Sequence, residues 1–516
     1  MHSNAIAKIV VLAGGLLLSL ILAIQIMGGS HVNSLAVFYK YLSWGAVVFG
    51  IMAPRPAFYV LVFLTIYLDF LKRLLVVAGD IGWMDLFYIL GVAPMLLLGI
   101  CVGVVFQFVM GQLRIRKPHM LLLLGVTVFF FANMIYMMQS GLGMKGLADL
   151  ANQAAYAYVL FVMPVLFPRP EDLLKILKFA FLLFIPSAFY IFYQSYFGIT
   201  SWERSYLLSG YTLELRQMAS RVFRPFSTMN SAGLASVMYA IMAMIAFAPR
   251  KDEDEWKLSS YIKPSKLFWF LIFAAAAALT YSRGGWFCGI VAIMATLAFR
   301  TWLTTTVTYA AGIIGIGLMV VFADWMVKNN TMSKLTDMIV SDTASDSEVM
   351  AFSLGTFNSR LYSVQKTLSE PSRWTPFGAY FAGKQDRELD SHEHESEFYI
   401  HDGFSDMLIT FGYVPLGLAM IFGAFIVFQA HRFYFSMPPS LERWLTLLSL
   451  AAVVGIAFGA TANPAQLKAY PVNFYFYFFC SIPLSAAIFR KYVLAEEEVE
   501  EDEPEEAAVP RALLRL

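Results

Sequence analysis

Charged side chains are scarce in this sequence. Asp, Glu, Lys and Arg make up 14% of its 516 residues, whereas hydrophobic residues make up 59%. A soluble protein of this size carries about a quarter of its residues as charged side chains. Apolar runs of about 20 residues, long enough to cross a bilayer as helices, recur along almost the whole chain. The composition therefore excludes an ordinary soluble protein and predicts an all-α, polytopic integral membrane protein.

Cysteine is rare as well. Cys101, Cys288 and Cys480 are scattered in apolar runs, a spacing that matches neither a disulfide framework nor a set of metal ligands. We interpret all three as small buried residues. The sequence also has no phosphate-binding P-loop and no glycine-rich dinucleotide fingerprint. We therefore expect no cofactor, no metal and no nucleic-acid partner.

The hydrophobic runs predict about fourteen transmembrane helices with one long loop among them. The first run, AIAKIVVLAGGLLLSLILAIQ, has features of a signal peptide, but it is long and no A-x-A cleavage site follows it. We therefore expect a retained first span. The third run, residues 57–71, is short, and omitting it would invert the orientation of every later span.

The distribution of Lys and Arg predicts the orientation, because cytoplasmic loops of membrane proteins are enriched in both. With a cytoplasmic N-terminus, the inside loops hold basic groups that include Arg114, Arg116, Lys117, Arg490 and Lys491. The main exceptions on the outer side are Lys72, Arg73, Lys145, Arg204, Arg216, Arg221 and Arg224. The bias favours two cytoplasmic termini and a long loop on the outer side.

That loop, Asp324–Gly403, is about 80 residues long and therefore too long to be a mere connector. It lies in a central region, residues 201–430. N-terminal transmembrane helices (1–200) precede this region and C-terminal transmembrane helices (431–495) follow it. The acidic residues of the tail, 496–516, predict a solvated, disordered cytoplasmic segment.

Three arginines at or near the outer face are candidates for binding an anion. Arg283, in LTYSRGGWFCG, offers a planar, permanently charged fork to phosphate, and Gly284–Gly285 would allow a ligand close to the backbone. The alternative is an arginine that snorkels at a helix end. Arg360 lies on a predicted amphipathic helix, so a solvated helix-face arginine is its alternative. Arg224 precedes a proline and a span, and is equally consistent with an interfacial anchor.

The histidines of the loop differ in their chemistry. His392 and His394 alternate with glutamates, but Ser396 stands where an HExxH zinc motif needs its second histidine, which argues against a metal site. His401 lies at the membrane edge, where a neutral imidazole is suited to act as a general base. Glu397, four residues earlier, would orient or stabilise it on a helix. The alternative for His401 is an interfacial residue that caps the next helix.

Four segments together resemble the O-antigen ligase and polymerase superfamily of bacterial envelope glycosyltransferases. They are RPFSTMNSAGLA (224–235), TYSRGGW (280–286), SRLYSVQ with the downstream PFGAYF (359–381), and HDGFSDMLITFGYVPLGL (401–418). Their order and spacing agree with the family pattern of an Arg-Gly motif, two spans and a long periplasmic loop. The sequence departs from the pattern at Asp402, where the family usually has asparagine. The resemblance covers residues 200–420, less than half of the chain.

The resemblance implies transfer of a glycan from an undecaprenyl-diphosphate carrier to an acceptor hydroxyl at the periplasmic face, without metal or cofactor. It implies that Arg283 and Arg360 stabilise the diphosphate and that His401 deprotonates the acceptor. Arg224, Glu397 and Asp402 would assist in binding the substrates. The acceptor is another glycan in a polymerase, and a lipid or a protein in a ligase. The residues do not separate these two activities.

The alternative from another class is a transporter or flippase for polysaccharide or lipid-linked glycan. Such a protein would need charged residues inside its spans to line a path. The predicted spans are nearly free of charge, and Asp69 and Asp149 lie near predicted ends. The sequence therefore favours the glycosyltransferase.

Overall fold

The computed structural model describes a large part of the chain, with gaps. The described residues are 34–78, 83–139, 146, 150–151, 153–209, 224–248, 266–311, 314, 367, 374–378, 403–462 and 465–494. The predicted first span, the acidic tail and most of the loop 324–403 lie outside them. Four predicted site residues, Glu397, Arg360, His401 and Asp402, lie outside them as well.

Helices are the regular elements of this described part of the chain. A short 3₁₀ turn, Ala155–Tyr158, precedes one of them, and a π-helical turn, Phe489–Leu494, follows the last. We number the helices in chain order as α1 Ser34–Met52, α2 Pro54–Ala78, α3 Trp83–Val109, α4 Lys117–Gln139, α5 Val159–Leu166, α6 Pro170–Phe197, α7 Ser201–Leu208, α8 Ala232–Phe247, α9 Lys266–Leu279, α10 Arg283–Ala298, α11 Gly403–Phe411, α12 Tyr413–Ser436, α13 Leu441–Ala462, α14 Ala465–Lys468 and α15 Val472–Ile488.

Six helical segments in the described ranges are long and apolar enough to cross a membrane. They are Asp85–Val109, Lys117–Gln139, Pro170–Phe197, Tyr413–Ser436, Leu441–Ala460 and Val472–Tyr492. The predicted all-α class is thus confirmed for the described residues, and their long apolar helices are consistent with a multi-pass membrane protein. The total of fourteen spans and the periplasmic side of the long loop stay predictions.

The third apolar run is longer in the structure than its sequence indicates. Residues 57–71 were expected to span, whereas α2 has 25 residues, which corresponds to about 38 Å at 1.5 Å per residue. The helix continues through Asp69, Lys72 and Arg73, all of which are buried. Polar residues end an apolar run in a hydropathy reading, but they do not end a helix when other side chains satisfy their charges.

Helices α1 and α3 run in the same direction in close contact. Backbone atoms of Val47 and Ile51 in α1 lie where a Cβ on Gly99 and Gly103 of α3 would be. Later residues of α1 thus contact later residues of α3, which means that the two helices are parallel. This arrangement requires two reversals of the chain, one at Ala53 and one between residues 78 and 83, so α1, α2 and α3 alternate in direction as successive spans do. Small residues allow such close helix packing in membranes.

Helix α8 lies in the centre of the bundle. Nearly all of its side chains are buried, and it contacts α6, α9, α10, α13 and α15. A helix that is apolar on every side is expected in such a position. Helices α4 and α12, by contrast, present large apolar side chains outward, among them Leu121, Leu124, Ile421 and Phe422. These outward faces are consistent with contact to lipid tails.

Candidate functional site

The segment Arg224–Asn230, here called the motif loop, leads into α8 and belongs to the first of the four family-like segments. Its residues from Pro225 to Met229 are buried, whereas Arg224 is half-buried. Ser227 has a φ of 53°, in the left-handed region that non-glycine residues rarely adopt. Such a conformation costs about 1–3 kcal/mol and persists only where the surroundings enforce it.

Two residues of α6, Gln194 and Ser187, hold the motif loop. The Gln194 side-chain carbonyl oxygen accepts hydrogen bonds from the backbone N–H groups of Phe226, at 3.2 Å, and Ser227, at 2.8 Å. The Ser227 hydroxyl donates to the backbone carbonyl of Ser187 at 2.6 Å. The Ser187 hydroxyl in turn lies 2.7 Å from the Thr228 hydroxyl oxygen. The unusual turn at Ser227 is therefore stabilised by partners on another helix.

A buried ion pair supports the same turn from α2. An Arg73 Nη lies 3.2 Å from Glu203 Oε1, and the two side chains are 1% and 0% exposed. Arg73 also donates to the backbone carbonyl of Ser227, and its guanidinium lies 4.7 Å from the centre of the Phe226 ring. Gln194 donates to Glu203 at 2.8 Å. All the charge of this pair is thus matched inside the protein, as a buried pair requires.

A second buried pair reaches the other end of the motif loop. Lys72 Nζ lies 2.8 Å from Asp69 Oδ1 and donates to Asn230 Oδ1 at 3.0 Å. Burial raises the pKa of the nearby Tyr206 hydroxyl, an effect that Lys72 opposes. Lys72 and Arg73 were predicted exceptions to the charge bias on the outer side. Each of them is buried inside α2 beside a carboxylate partner.

Sequence reasoning did not identify Glu203 or Gln194. One local signal was present, because Thr200 and Glu203 form the capping box that begins α7. The Glu203 carboxylate accepts from both the backbone N–H and the hydroxyl of Thr200, at 3.2 and 3.1 Å. That signal predicts a helix start. It does not predict that the other Glu203 oxygen meets Arg73.

The second family-like segment meets α8 near the motif loop. Arg283 is the first residue of α10, directly after Ser282. The Ser236 hydroxyl of α8 donates to the backbone carbonyl of Ser282 at 3.1 Å. Ser236 lies five residues after the helix-capping Ser231, which corresponds to about 7.5 Å along the helix. The backbone of Arg283 therefore lies at the same end of α8 as the motif loop.

Gly285 has a packing role that differs from the expected one. A Cβ at this position would overlap the side chain of Ser236. The close approach that Gly285 permits is therefore between α10 and α8, where the sequence had indicated approach by a ligand. Trp286 of α10 donates its indole N–H to the backbone carbonyl of Ala277 in α9 at 2.8 Å.

The third and fourth segments contact each other through backbone. Tyr413 and Val414, at the start of α12, donate their N–H groups to the carbonyls of Thr375 and Pro376, each at 3.1 Å. The Tyr136 hydroxyl of α4 donates to the carbonyl of Phe411 at 3.1 Å. The PFG portion of the long loop is thereby docked onto the turn between α11 and α12.

Replacing Gly412 by alanine is expected to disrupt this docking. Gly412 has a φ of 86°, and a Cβ there would overlap backbone atoms of Gly378 and Pro376. With its ψ of 169°, this positive-φ conformation is one that glycine alone adopts readily, and it costs alanine about 1–3 kcal/mol. We expect a lower unfolding temperature in detergent and faster proteolysis within residues 324–403. Gly417→Ala is the control, since a Cβ at Gly417 meets open space. Equal stability of both variants would contradict the docking.

The first turn of α11 is tied to the same end of the bundle. Asp406, three residues after Gly403, forms an ion pair with Lys468 of α14, and α14 contacts α8. Burial, then the neighbouring Tyr156 and Asp69, holds the pKa of Tyr470 well above its ordinary value. The short connection that carries Lys468 and Tyr470 therefore lies within electrostatic reach of Asp69. The described residues that follow His401 and Asp402 in the chain thus begin near the motif loop.

Comparison with known proteins adds no family assignment. No family model matches the chain, and no curated protein matches it. Within the described ranges no group of three or more His, Cys, Asp or Glu side chains is arranged to hold a metal ion. The site is therefore defined by position: three of the four family-like segments have described residues that the contacts above bring toward one end of α8.

Proposed function

We propose that this protein is a membrane glycosyltransferase of the O-antigen ligase and polymerase type. It would act in surface polysaccharide biosynthesis, in a bacterial inner membrane, with its site facing the periplasm. The observation that carries the proposal is the meeting of the motif loop, the start of α10 and the first turn of α11 at one end of the bundle. These elements come from segments far apart in the chain that share the order of the family pattern.

The proposed reaction needs cations and a base. The acceptor oxygen forms a bond to the anomeric carbon, while the bond from that carbon to the carrier diphosphate breaks and undecaprenyl diphosphate leaves with the electron pair. Arg283 and Arg360 would stabilise the charge of the leaving diphosphate. His401 would take the proton of the acceptor hydroxyl. Backside displacement inverts the anomeric centre.

Three further residues would assist binding. Arg224, on the motif loop, is placed at the same end of α8 as the backbone of Arg283 and would contact the diphosphate. Glu397 would orient or stabilise His401. Asp402 would contact a substrate through its own short polar side chain. The donor is an undecaprenyl-diphosphate-linked glycan, and the acceptor is a glycan, a lipid or a protein.

The charge pattern supports the periplasmic side for this end of the bundle. Lys72 and Arg73, two exceptions to the positive-inside bias, are buried in ion pairs inside α2. Other basic residues of the bundle lie close to one another. The Arg116 guanidinium is 5.1 Å from the centre of the Tyr492 ring, and Tyr492 directly follows Arg490 and Lys491 in the chain. These residues belong to the loops for which a cytoplasmic position is predicted.

Deletion of the gene is expected to leave carrier-linked glycan unused. Extracted lipid-linked glycans from the deletion strain are compared with those of the parent strain. Accumulation of single repeat units would identify a polymerase, and accumulation of full-length chains would identify a ligase. Purified protein in nanodiscs should then transfer glycan from the extracted donor. If the carrier-linked pool is unchanged and purified protein releases no undecaprenyl diphosphate, the proposal is wrong.

One observation favours a flippase or transporter as the second candidate. Asp69, Lys72 and Arg73 are charged and buried inside α2, as residues on a transport path are. Their partners, however, hold them in closed pairs next to a structured loop. The nanodisc experiment separates the two functions, because a flippase moves the lipid-linked glycan across the bilayer without releasing undecaprenyl diphosphate.

A further inference from the structure

The motif loop is held from two sides by residues that belong to none of the four family-like segments. Lys72 binds its last residue, Asn230, while Arg73 and Gln194 bind the backbone at Phe226 and Ser227. Two backbone donors, one backbone carbonyl and one side-chain amide are thus bound by three side chains. The partners come from two different helices, α2 and α6.

These contacts fix the position of the beginning of the motif loop, at Arg224. Pro225 separates Arg224 from the first anchored residue, Phe226, and its ring fixes one of the two backbone torsions there. The Arg73 guanidinium also lies over the Phe226 ring. The backbone of Arg224 is therefore positioned by contacts that begin two residues away.

We infer that Lys72, Arg73 and Gln194 are positioning residues, which fix the motif loop so that Arg224 reaches the diphosphate of the lipid-linked donor. The inference rests on the proposed function for its substrate. According to this inference, Lys72 and Arg73 support donor binding without contacting the donor themselves. Gln194 is the residue that separates this role from simple ion pairing, because it is uncharged and accepts from two backbone N–H groups of the loop.

The inference predicts a specific kinetic change in Gln194→Leu. The variant keeps the side-chain size but loses the acceptor for both N–H groups. If Arg224 contributes to donor binding in ground state and transition state alike, KM for the lipid-linked donor rises while kcat changes little. We expect an increase in KM of about tenfold, within the 10²-fold that a 1 Å misplacement can cause. Partial unfolding would instead lower kcat at constant KM.

A matched control and a double variant sharpen the test. Asn133→Leu removes another buried amide, which donates to the Phe129 carbonyl one turn earlier in α4, and should leave KM unchanged. Gln194→Leu introduced into Arg224→Ala should raise KM no further, because the loop would then have no arginine to place. Additive effects of the two substitutions would overturn the inference, as would an unchanged KM in Gln194→Leu.

A labelling experiment tests the positioning without any enzymatic activity. In Arg224→Cys, a membrane-impermeant maleimide reports how well the start of the loop is held. We expect at least fivefold faster labelling when Gln194→Leu is added and no acceleration when Asn133→Leu is added. If wild-type protein lacks transfer activity, the proposed function fails. The labelling rates still test whether Gln194 holds the start of the motif loop in place. Equal rates in the two backgrounds would overturn it.

Discussion

Replacing His401 by alanine is expected to reduce glycan transfer by about 10²–10⁴-fold, the range attributed to loss of a general base. Without the imidazole, the acceptor hydroxyl must attack while still protonated. Arg283→Ala is expected to reduce transfer by about 10²–10³-fold, because one stabilising contact to the leaving diphosphate is lost. Both effects should appear mainly in kcat, since the charge develops in the transition state.

The measurement is release of undecaprenyl diphosphate by purified variants, together with the amount and chain length of surface polysaccharide in the deletion strain. His394→Ala and Arg300→Ala are the matched controls, since neither residue has a role in the proposed reaction. Each variant must be shown to be inserted at wild-type levels. Normal polysaccharide in both His401→Ala and Arg283→Ala would show that the assignment of the base and the cation is wrong.

Glu203→Ala is expected to lower the free energy of unfolding by about 3–5 kcal/mol, the typical loss when one partner of a buried ion pair is removed. Arg73 would remain 1% exposed with its charge unmatched by Glu203. Gln194 would lose its acceptor at the same time. The expected observation is a large fall in unfolding temperature in detergent, accompanied by reduced insertion in cells.

The control for this prediction is Asp172→Ala, which removes an ion pair to Lys175 on the surface of α6. The Lys175 side chain is 67% exposed, so we expect no measurable change in unfolding temperature. Replacing both Arg73 and Glu203 by methionine should restore much of the stability, because no buried charge then lacks a partner. That double variant should still transfer poorly, since the Ser227 carbonyl has lost its donor. A stable Glu203→Ala variant would contradict the importance of the pair.

The sequence alone determined the class of the protein, because the transfer of a helix into lipid depends on the composition of one continuous segment. The apolar runs 86–109, 120–138, 179–197, 444–460 and 472–489 were predicted to span, and each coincides with a helix long and apolar enough to do so. The run 404–428 was predicted as one span, whereas the structure divides it at Gly412 into α11 and α12. The end of α2 was not predicted, since its extension to Ala78 depends on partners for Asp69, Lys72 and Arg73. The proposed roles of His401, Arg360, Glu397 and Asp402 stay predictions from the family pattern.

The tertiary structure decided which polar residues belong together. Arg73 meets Glu203 across 130 positions of sequence and Ser227 across 154, and Lys72 meets Asn230 across 158. No local pattern indicates such partners, because a buried charge is stabilised by whatever group folding brings within hydrogen-bond distance. Gly285 shows the same limit, since only its contact with Ser236 reveals that the glycine serves helix packing. Apolar length is a property of one segment, whereas a site is a property of segments that meet.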